Sequence, residues 1–173
     1  MKIAIILNGI SLEKEKFYKK TLPKLTSLFN VEVFETLTVN DAVSLASKAV
    51  IKRFDIILAA ATLHHLRDDD DWELMFGKIY KALKPGGSFW ISDFITHNSP
   101  TVTKLFEERY GNYLESMGGK EYQKKVLDYV NFEDTPRSLN YQLKLLAKVR
   151  FTNLDVLHKN LCFAAFGAVK GRV

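Results

Sequence analysis

The sequence predicts an α/β protein with one mostly parallel sheet, covered by helices on both faces, and an antiparallel hairpin at its C-terminal end. Three observations lead to this prediction. Short apolar runs recur along the chain, and segments with helical spacing of apolar residues separate them. The last two strand-like runs are joined by only two residues, which favours a hairpin.

The first half of the chain predicts three strands and two helices. Residues 2–7 (KIAIIL) and 54–61 (FDIILAAA) are continuous apolar runs, typical of strands covered on both faces, and residues 31–36 (VEVFET) alternate like a strand. A helix is predicted over residues 13–29, where Pro23 should kink or divide it. The second helix, over residues 42–50, follows the cap candidates Asn40 and Asp41.

The second half begins with a run of aspartates, Asp68 to Asp71, and an apolar stripe at helical spacing follows it. Negative charge favours the N-terminus of a helix, and the segment Lys84-Pro85-Gly86-Gly87 should end this one. The elements predicted after it are a strand at 88–92, helices at 101–117, 120–131 and 136–149, and hairpin strands at 153–158 and 161–169, joined by Lys159-Asn160.

Composition places limits on function. The 173 residues are 47% hydrophobic, enough for one domain with a substantial core, and a single cysteine, Cys162, excludes an internal disulfide. Cys162 lies among apolar residues and is expected to be an inert core residue. The net charge of +5 is spread along the chain, so nucleic acid is not an expected partner. The N-terminal apolar run is too short for a signal peptide or a membrane span, so a cytoplasmic location is expected.

Ligands of such sheets bind beyond the carboxyl ends of the strands. The turn after the first strand contains Asn8, Gly9 and Ser11 but has no G-x-G-x-x-G pattern, so a dinucleotide site of the usual kind is not expected. Asn8 and Ser11 could still donate hydrogen bonds to a phosphate, although a turn with an N-cap is the favoured interpretation. Thr36 lies where the second strand ends.

His64 and His65 raise the question of a metal site. Adjacent side chains are expected to diverge, and no carboxylate or further histidine lies at a convincing ligand spacing, so no metal is predicted. One of the two histidines facing a ligand cleft is the alternative. No serine or cysteine triad is recognisable, and no catalytic residue is assigned.

From Thr62 onward the chain resembles the C-terminal half of a class I S-adenosylmethionine-dependent methyltransferase. The resemblance is carried by Thr62-Leu63-His64-His65-Leu66, by the segment at 80–87 (YKALKPGG), and by the tail at 151–158 (FTNLDVLH). Arg150 departs from it, because that family usually has glycine before the phenylalanine. The resemblance implies that residues 62–65 lie near the cofactor and that Asp93 lies on the substrate side.

Residues 1–60 instead resemble the opening of a diacylglycerol-kinase-like lipid kinase, in the first strand into Asn8, the strand at 31–36 and the strand at 55–60 (DIILAA). That family continues with G-G-D-G-T, whereas this chain continues with Ala61-Thr62. The G-x-G-x-G loop and the ribose-binding acid of a methyltransferase are likewise not found before Thr62.

The two resemblances together suggest an engineered chimera of residues 1–60 and 61–173 within a single domain. Its sheet, Rossmann-like or flavodoxin-like, should have strand order 2-1-3-4-6-5. The expectation is a scaffold without a complete active site, without catalytic activity and without a required cofactor. An apolar surface at the new junction would favour a homo-oligomer.

The alternative is a methyltransferase, or a protein that retains binding of S-adenosylmethionine or a nucleotide. The residues that would hold this ligand are Asn8, Gly9, Ser11, Thr36, Thr62, Leu63, His64 and His65.

Overall fold

The computed structural model describes residues 1–8, 14–36 and 53–172, whose strands form one six-stranded sheet. Its order is β2-β1-β3-β4-β6-β5, as predicted. Neighbouring strands from β2 to β4 are parallel, and β6 runs antiparallel to both β4 and β5. The strands are β1 (Lys2–Asn8), β2 (Asn30–Thr36), β3 (Phe54–Ala60), β4 (Leu83–Phe94), β5 (Phe151–Asn160) and β6 (Phe163–Lys170).

Four helices and one short 3-10 turn are described. Helix α1 consists of Lys14–Lys16, a π-helical piece at Phe17–Thr21 and a last piece at Leu22–Thr26. The others are the 3-10 turn Leu63–His65, α2 (Asp69–Ala82), α3 (Pro100–Glu133) and α4 (Leu139–Lys148). The predicted helix at 42–50 lies outside the described residues.

Pro23 changes the hydrogen bonding of α1 rather than dividing it. The N–H of Leu22 donates to the carbonyl of Phe17, five residues back, and the π-helical piece ends immediately before Leu22. Proline has no N–H, and its ring crowds the preceding turn of a regular α-helix. The wider π turn accommodates that ring, so the helix continues through Pro23.

The aspartate run caps α2 as predicted, because the Asp68 carboxylate accepts a hydrogen bond from the N–H of Asp71. Strand β4 begins earlier than predicted. Leu83 already pairs with Phe54, and a register shift follows before regular pairing resumes at Ser88. At Gly87 a Cβ atom would lie 2.9 Å from the carbonyl oxygen of Asp55, so only glycine lets the two strands approach here.

Two further predictions are refined by the structure. The helices predicted at 101–117 and 120–131 are the two halves of α3, which Gly119 interrupts with a φ of 78°. The hairpin turn lies at Leu161 and Cys162 rather than at Lys159-Asn160, because Asn160 already pairs with Phe163. Leu161 completes this turn with a φ of 51°.

Strand β1, in the parallel part of the sheet, is covered on both faces. Side chains alternate along a strand, and in β1 the consecutive residues Ile3, Ala4, Ile5 and Ile6 are all buried. The main core joins one face of the sheet to α2 and α4, with Trp72, Phe76 and Leu146 fully buried within it. Among residues 1–8, 14–36 and 53–172, no helix is both long enough and apolar enough to cross a membrane.

Candidate functional site

The carboxyl ends of the parallel strands form the edge at which a ligand is expected. Asn8 at the end of β1 pairs in register with Thr36 at the end of β2, and on the other side β1 pairs with β3 up to Leu7 and Ala60. Because the chain runs from β1 to β2 on one side and returns to β3 on the other, the switch point of the sheet lies between β1 and β3.

Thr62 closes the floor of this crevice. Its hydroxyl donates to the carbonyl of Ala60 at 2.8 Å and lies 3.5 Å from the carbonyl of Ile6, so it touches both β3 and β1. Ala61 makes the preceding bend with a φ of 49°, which turns the chain sharply as it leaves β3.

Asp93 holds the turn that follows β3. It lies one residue before the end of β4 and is buried. Its carboxylate accepts hydrogen bonds from the backbone N–H of Leu63 at 2.7 Å and of Thr62 at 3.3 Å, and it contacts Nδ1 of His64. A buried carboxylate is stable when donors surround it in this way. Asp93 therefore fixes both the backbone of the turn and the ring of His64.

His64 and His65 meet at a second carboxylate, Asp134. Oδ1 of Asp134 lies 3.8 Å from Nε2 of His64 and 3.1 Å from Nδ1 of His65. The two rings do not diverge as expected from the sequence, since their centroids are 4.2 Å apart. Burial disfavours the charged form of His64, but the hydrogen bond with Asp93 and the charges of Asp93 and Asp134 outweigh it and raise the pKa of His64.

Backbone hydrogen bonds hold the segment between α3 and α4 over this turn. The N–H of Thr135 donates to the carbonyl of His64 at 2.7 Å, and its hydroxyl donates to the carbonyl of Leu66. The N–H of Thr96, just beyond β4, donates to the carbonyl of Arg137 at 3.3 Å. Asp134 is therefore placed beside the two histidines by hydrogen bonds of the residues that follow it, Thr135 and Arg137.

A cavity of about 390 Å³ adjoins the cluster, and Asp134 is one of its walls. This volume falls in the range of small-molecule pockets, roughly 300–1,000 Å³. Much of the lining is apolar or aromatic and comes from α3 and the end of β4; it includes Phe94, Phe106, Tyr110, Leu127 and Val130. Cys162 also lines the cavity, and burial raises the pKa of its thiol to about 11, so the thiol stays protonated at neutral pH.

His97 is a titratable base in the wall of this cavity. Burial and the positive charge of Lys159 lower its pKa below the ordinary 6.5, against the opposing effects of a backbone hydrogen bond with Leu161 and the charge of Glu107. Its Nε2 is buried and has no hydrogen-bond partner among the described residues. His97 is therefore a neutral imidazole at pH 7, with one nitrogen not engaged by the described part of the chain.

The structure brings some of the sequence-predicted residues together. Thr62, Leu63 and His64 converge on Asp93, and His65 joins them through Asp134. The side chain of Leu63 belongs to the core. Asn8 and Thr36 end neighbouring strands, whereas Gly9 and Ser11 lie outside the described residues.

Asp134 and His97 were not predicted from the sequence to be site residues. Asp134 reaches the site only because α3 leads away from the sheet and the chain then returns to it. No local pattern signals that return. The position of His97 could have indicated a site residue, because His97 lies in the segment directly after β4, at the ligand-binding edge.

Comparison with known families shows that the methyltransferase domain matches residues 19–91. This segment runs from within α1 to within β4, so it crosses the proposed junction near residue 60 and includes most of the part that resembled a lipid kinase. No curated protein matches the chain.

Solved structures share the fold at low sequence identity. An O-methyltransferase family protein from Burkholderia thailandensis has a TM-score of 0.59 and 13% identity, over 98% of this chain and 51% of its own. The pyocyanin biosynthetic protein PhzM has a TM-score of 0.58 and 10% identity, over 98% and 50%. Human N-acetylserotonin methyltransferase, solved with S-adenosylmethionine, has a TM-score of 0.53 and 17% identity, over 98% and 47%.

These findings correct the chimera interpretation. Nothing in them supports a diacylglycerol-kinase-like segment, and the family match continues through the supposed joint. The expectation of an engineered scaffold without function is wrong, and the findings agree better with the methyltransferase alternative. The chain spans about half the length of the structures it resembles. It has the Rossmann-like fold of the methyltransferases among its structural neighbours, and residues 19–91 match a methyltransferase domain.

Proposed function

We propose that this chain is part or all of an S-adenosylmethionine-dependent methyltransferase that acts on a small molecule carrying a hydroxyl group. The observation that carries the proposal is the methyltransferase match over residues 19–91, which includes both Thr36 and the Ala60–Thr62 side of the crevice. The fold shared with O-methyltransferases supports it, as does the cavity beside the carboxyl edge.

The chemical types of the residues at the crevice are suited to this cofactor. The residues at the strand ends on either side of the switch point are Asn8, Thr36 and Thr62. Their types offer one amide and two hydroxyl groups. Such groups hydrogen-bond to an adenosine or to an amino acid moiety without a strong charge of their own. One side of the ligand would be bound by Asn8, Gly9, Ser11 and Thr36. The turn at residues 62–65 would contact its other side.

When bound, S-adenosylmethionine supplies an electrophilic methyl group. The chain's own contribution is to hold the acceptor and to remove its proton. The apolar walls of the 390 Å³ cavity would bind a flat or aromatic acceptor and exclude water from it. His97, a neutral imidazole in the wall of that cavity, would accept the hydroxyl proton at Nε2.

Calorimetric titration with S-adenosylhomocysteine, the demethylated product, tests the cofactor part of this proposal. The wild-type chain should bind one equivalent. Asn8→Ala should bind roughly 10- to 100-fold more weakly, the cost of one or two buried hydrogen bonds. Asn30→Ala is the matched control, because Asn30 begins β2 at the opposite edge of the sheet and is exposed.

A flat wild-type titration over a cooperative thermal melt would contradict the proposal. Equal weakening by both asparagine variants would also contradict the position of the crevice.

A further inference from the structure

We propose that His64, His65 and Asp134 form a binding site for a divalent transition-metal ion, with Zn²⁺ as the best fit. The three residues each offer one ligand atom, and these atoms all lie within 4.8 Å of one another. Two imidazole nitrogens and one carboxylate oxygen are a donor set that suits zinc, whereas magnesium and calcium prefer oxygen alone. Methyl transfer does not require this ion, so the proposal goes beyond the function proposed above.

The spacing of the ligand atoms agrees with tetrahedral coordination. Zinc bonds to nitrogen and oxygen of about 2.0–2.1 Å place neighbouring tetrahedral ligand atoms roughly 3.3–3.4 Å apart. Oδ1 of Asp134 lies 3.1 Å from His65 Nδ1 and 3.8 Å from His64 Nε2. Both separations from Asp134 are within half an ångström of that value, and all three ligand atoms lie within 4.8 Å of one another.

A buried acceptor gives an independent reason for a cation here. The side chain of Asp134 is only 6% exposed. Its Oδ1 has no hydrogen-bond partner among the described residues. A buried carboxylate oxygen without a donor is unfavourable, and a bound cation would satisfy it.

The surroundings orient the ligands in advance. Asp93 contacts Nδ1 of His64, which leaves Nε2 directed toward Asp134. A carboxylate that accepts from the far nitrogen of a metal-binding histidine is the usual outer partner in such sites. Thr135 ties the Asp134 segment to the carbonyls of His64 and Leu66, so the donors come from two segments already held together.

Three protein ligands leave a fourth position on a tetrahedral ion. Asp134 is also a wall of the 390 Å³ cavity. A zinc site with three protein ligands and one open position is typical of sites that bind a water or a ligand oxygen. We therefore place the ion at the boundary between the Asp93 turn and the cavity.

The test uses the full chain without an affinity tag, freed of metal by a chelator and titrated with Zn²⁺ or Co²⁺ alone near pH 7.5. One equivalent should bind, and Co²⁺ should develop the visible absorption of a tetrahedral site. Loss of an outer partner weakens metal sites about 10- to 100-fold, so His65→Gln and Asp134→Asn should each weaken binding by at least ~100-fold. His158→Gln and Asp128→Asn, both exposed, should bind like the wild type.

Weak or non-stoichiometric binding by the wild type would overturn the proposal. So would unchanged affinity in the folded His65→Gln variant, whose ring lies at the more exposed side of the cluster. Mg²⁺ should not compete. The titrations contain no S-adenosylmethionine, so their result is separate from that of the cofactor experiment.

Discussion

Asp93, one residue before the end of β4, and His97, three residues beyond that strand, are two polar side chains that are stabilised in opposite ways. Asp93 is charged and has donors around it, from Leu63, Thr62 and His64. His97 is kept neutral because burial and Lys159 disfavour its charged form. A charged anchor and a neutral base at one edge are suited to positioning a polar ligand and then accepting its proton.

The neutrality of His97 makes a prediction about stability and pH. The unfolded chain takes up this proton near the ordinary pKa of 6.5, whereas the folded chain takes it up only at lower pH. Between those values the unfolded state holds more protons, so the free energy of unfolding should fall as pH drops below 6.5 and be unaffected well above it.

Urea unfolding at about pH 7.5 and about pH 5.5 measures this effect, since the two values bracket the ordinary histidine pKa. His97→Gln should show a smaller loss of stability between them than the wild type. His158→Gln, an exposed histidine in β5, serves as the control and should keep the wild-type loss. An identical pH dependence in wild type and His97→Gln would contradict a neutral His97 in the folded chain.

At the end of α4, a residue with a large side chain occupies a backbone conformation that favours glycine. Arg150 follows the helix with a φ of 74°, in the left-handed region that glycine occupies without strain. Its N–H donates to the carbonyl of Ala147 at 3.0 Å, so the helix end depends on this conformation. The resemblance to methyltransferases indicated glycine at this position, and the geometry gives the physical reason.

Arg150→Gly should therefore raise the free energy of unfolding by about 0.5–1 kcal/mol, because it relieves the left-handed strain at the cost of a more flexible unfolded chain. Lys144→Gly, on the exposed side of the same helix, should lower it by about 1 kcal/mol. Chemical denaturation measures the free energy of unfolding of the two variants. A lower value for Arg150→Gly than for the wild type would show that Arg150 stabilises the helix end in another way.

The elements that were predicted correctly have strong local causes. The apolar run of β1 and the Asp68 cap of α2 need only neighbouring residues to be recognised. The elements that were misplaced depend on distant partners. Leu83 extends β4 because Phe54 lies opposite it, and the hairpin turn moves to Leu161 because the pairing of Asn160 with Phe163 decides the register.

Across the whole molecule, the alternation of elements predicted a mostly parallel sheet with a C-terminal hairpin, and the family resemblances implied the strand order that the structure has. The composition of the site was only partly predictable. The segment Thr62–His65 could be found because it follows β3. Asp93 could be found because it lies near the end of β4. Asp134 could not, since the contact of its neighbour Thr135 with Leu66 spans 69 residues and depends on how α3 returns. The chimera interpretation is wrong for a related reason: the sequence after β1 lacks the expected glycine pattern, whereas the family match and the fold extend across both supposed parts.

The proposed function places the cofactor of a methyltransferase at the crevice between β1 and β3. Hydrogen–deuterium exchange with and without S-adenosylhomocysteine tests it most directly, because the method reports where a ligand protects the backbone. We expect slower exchange at residues 7–13 and 59–65, with no change at the amino end of the strands around Asn30. Unchanged exchange at the crevice under saturating ligand, or protection confined to another part of the chain, would contradict it.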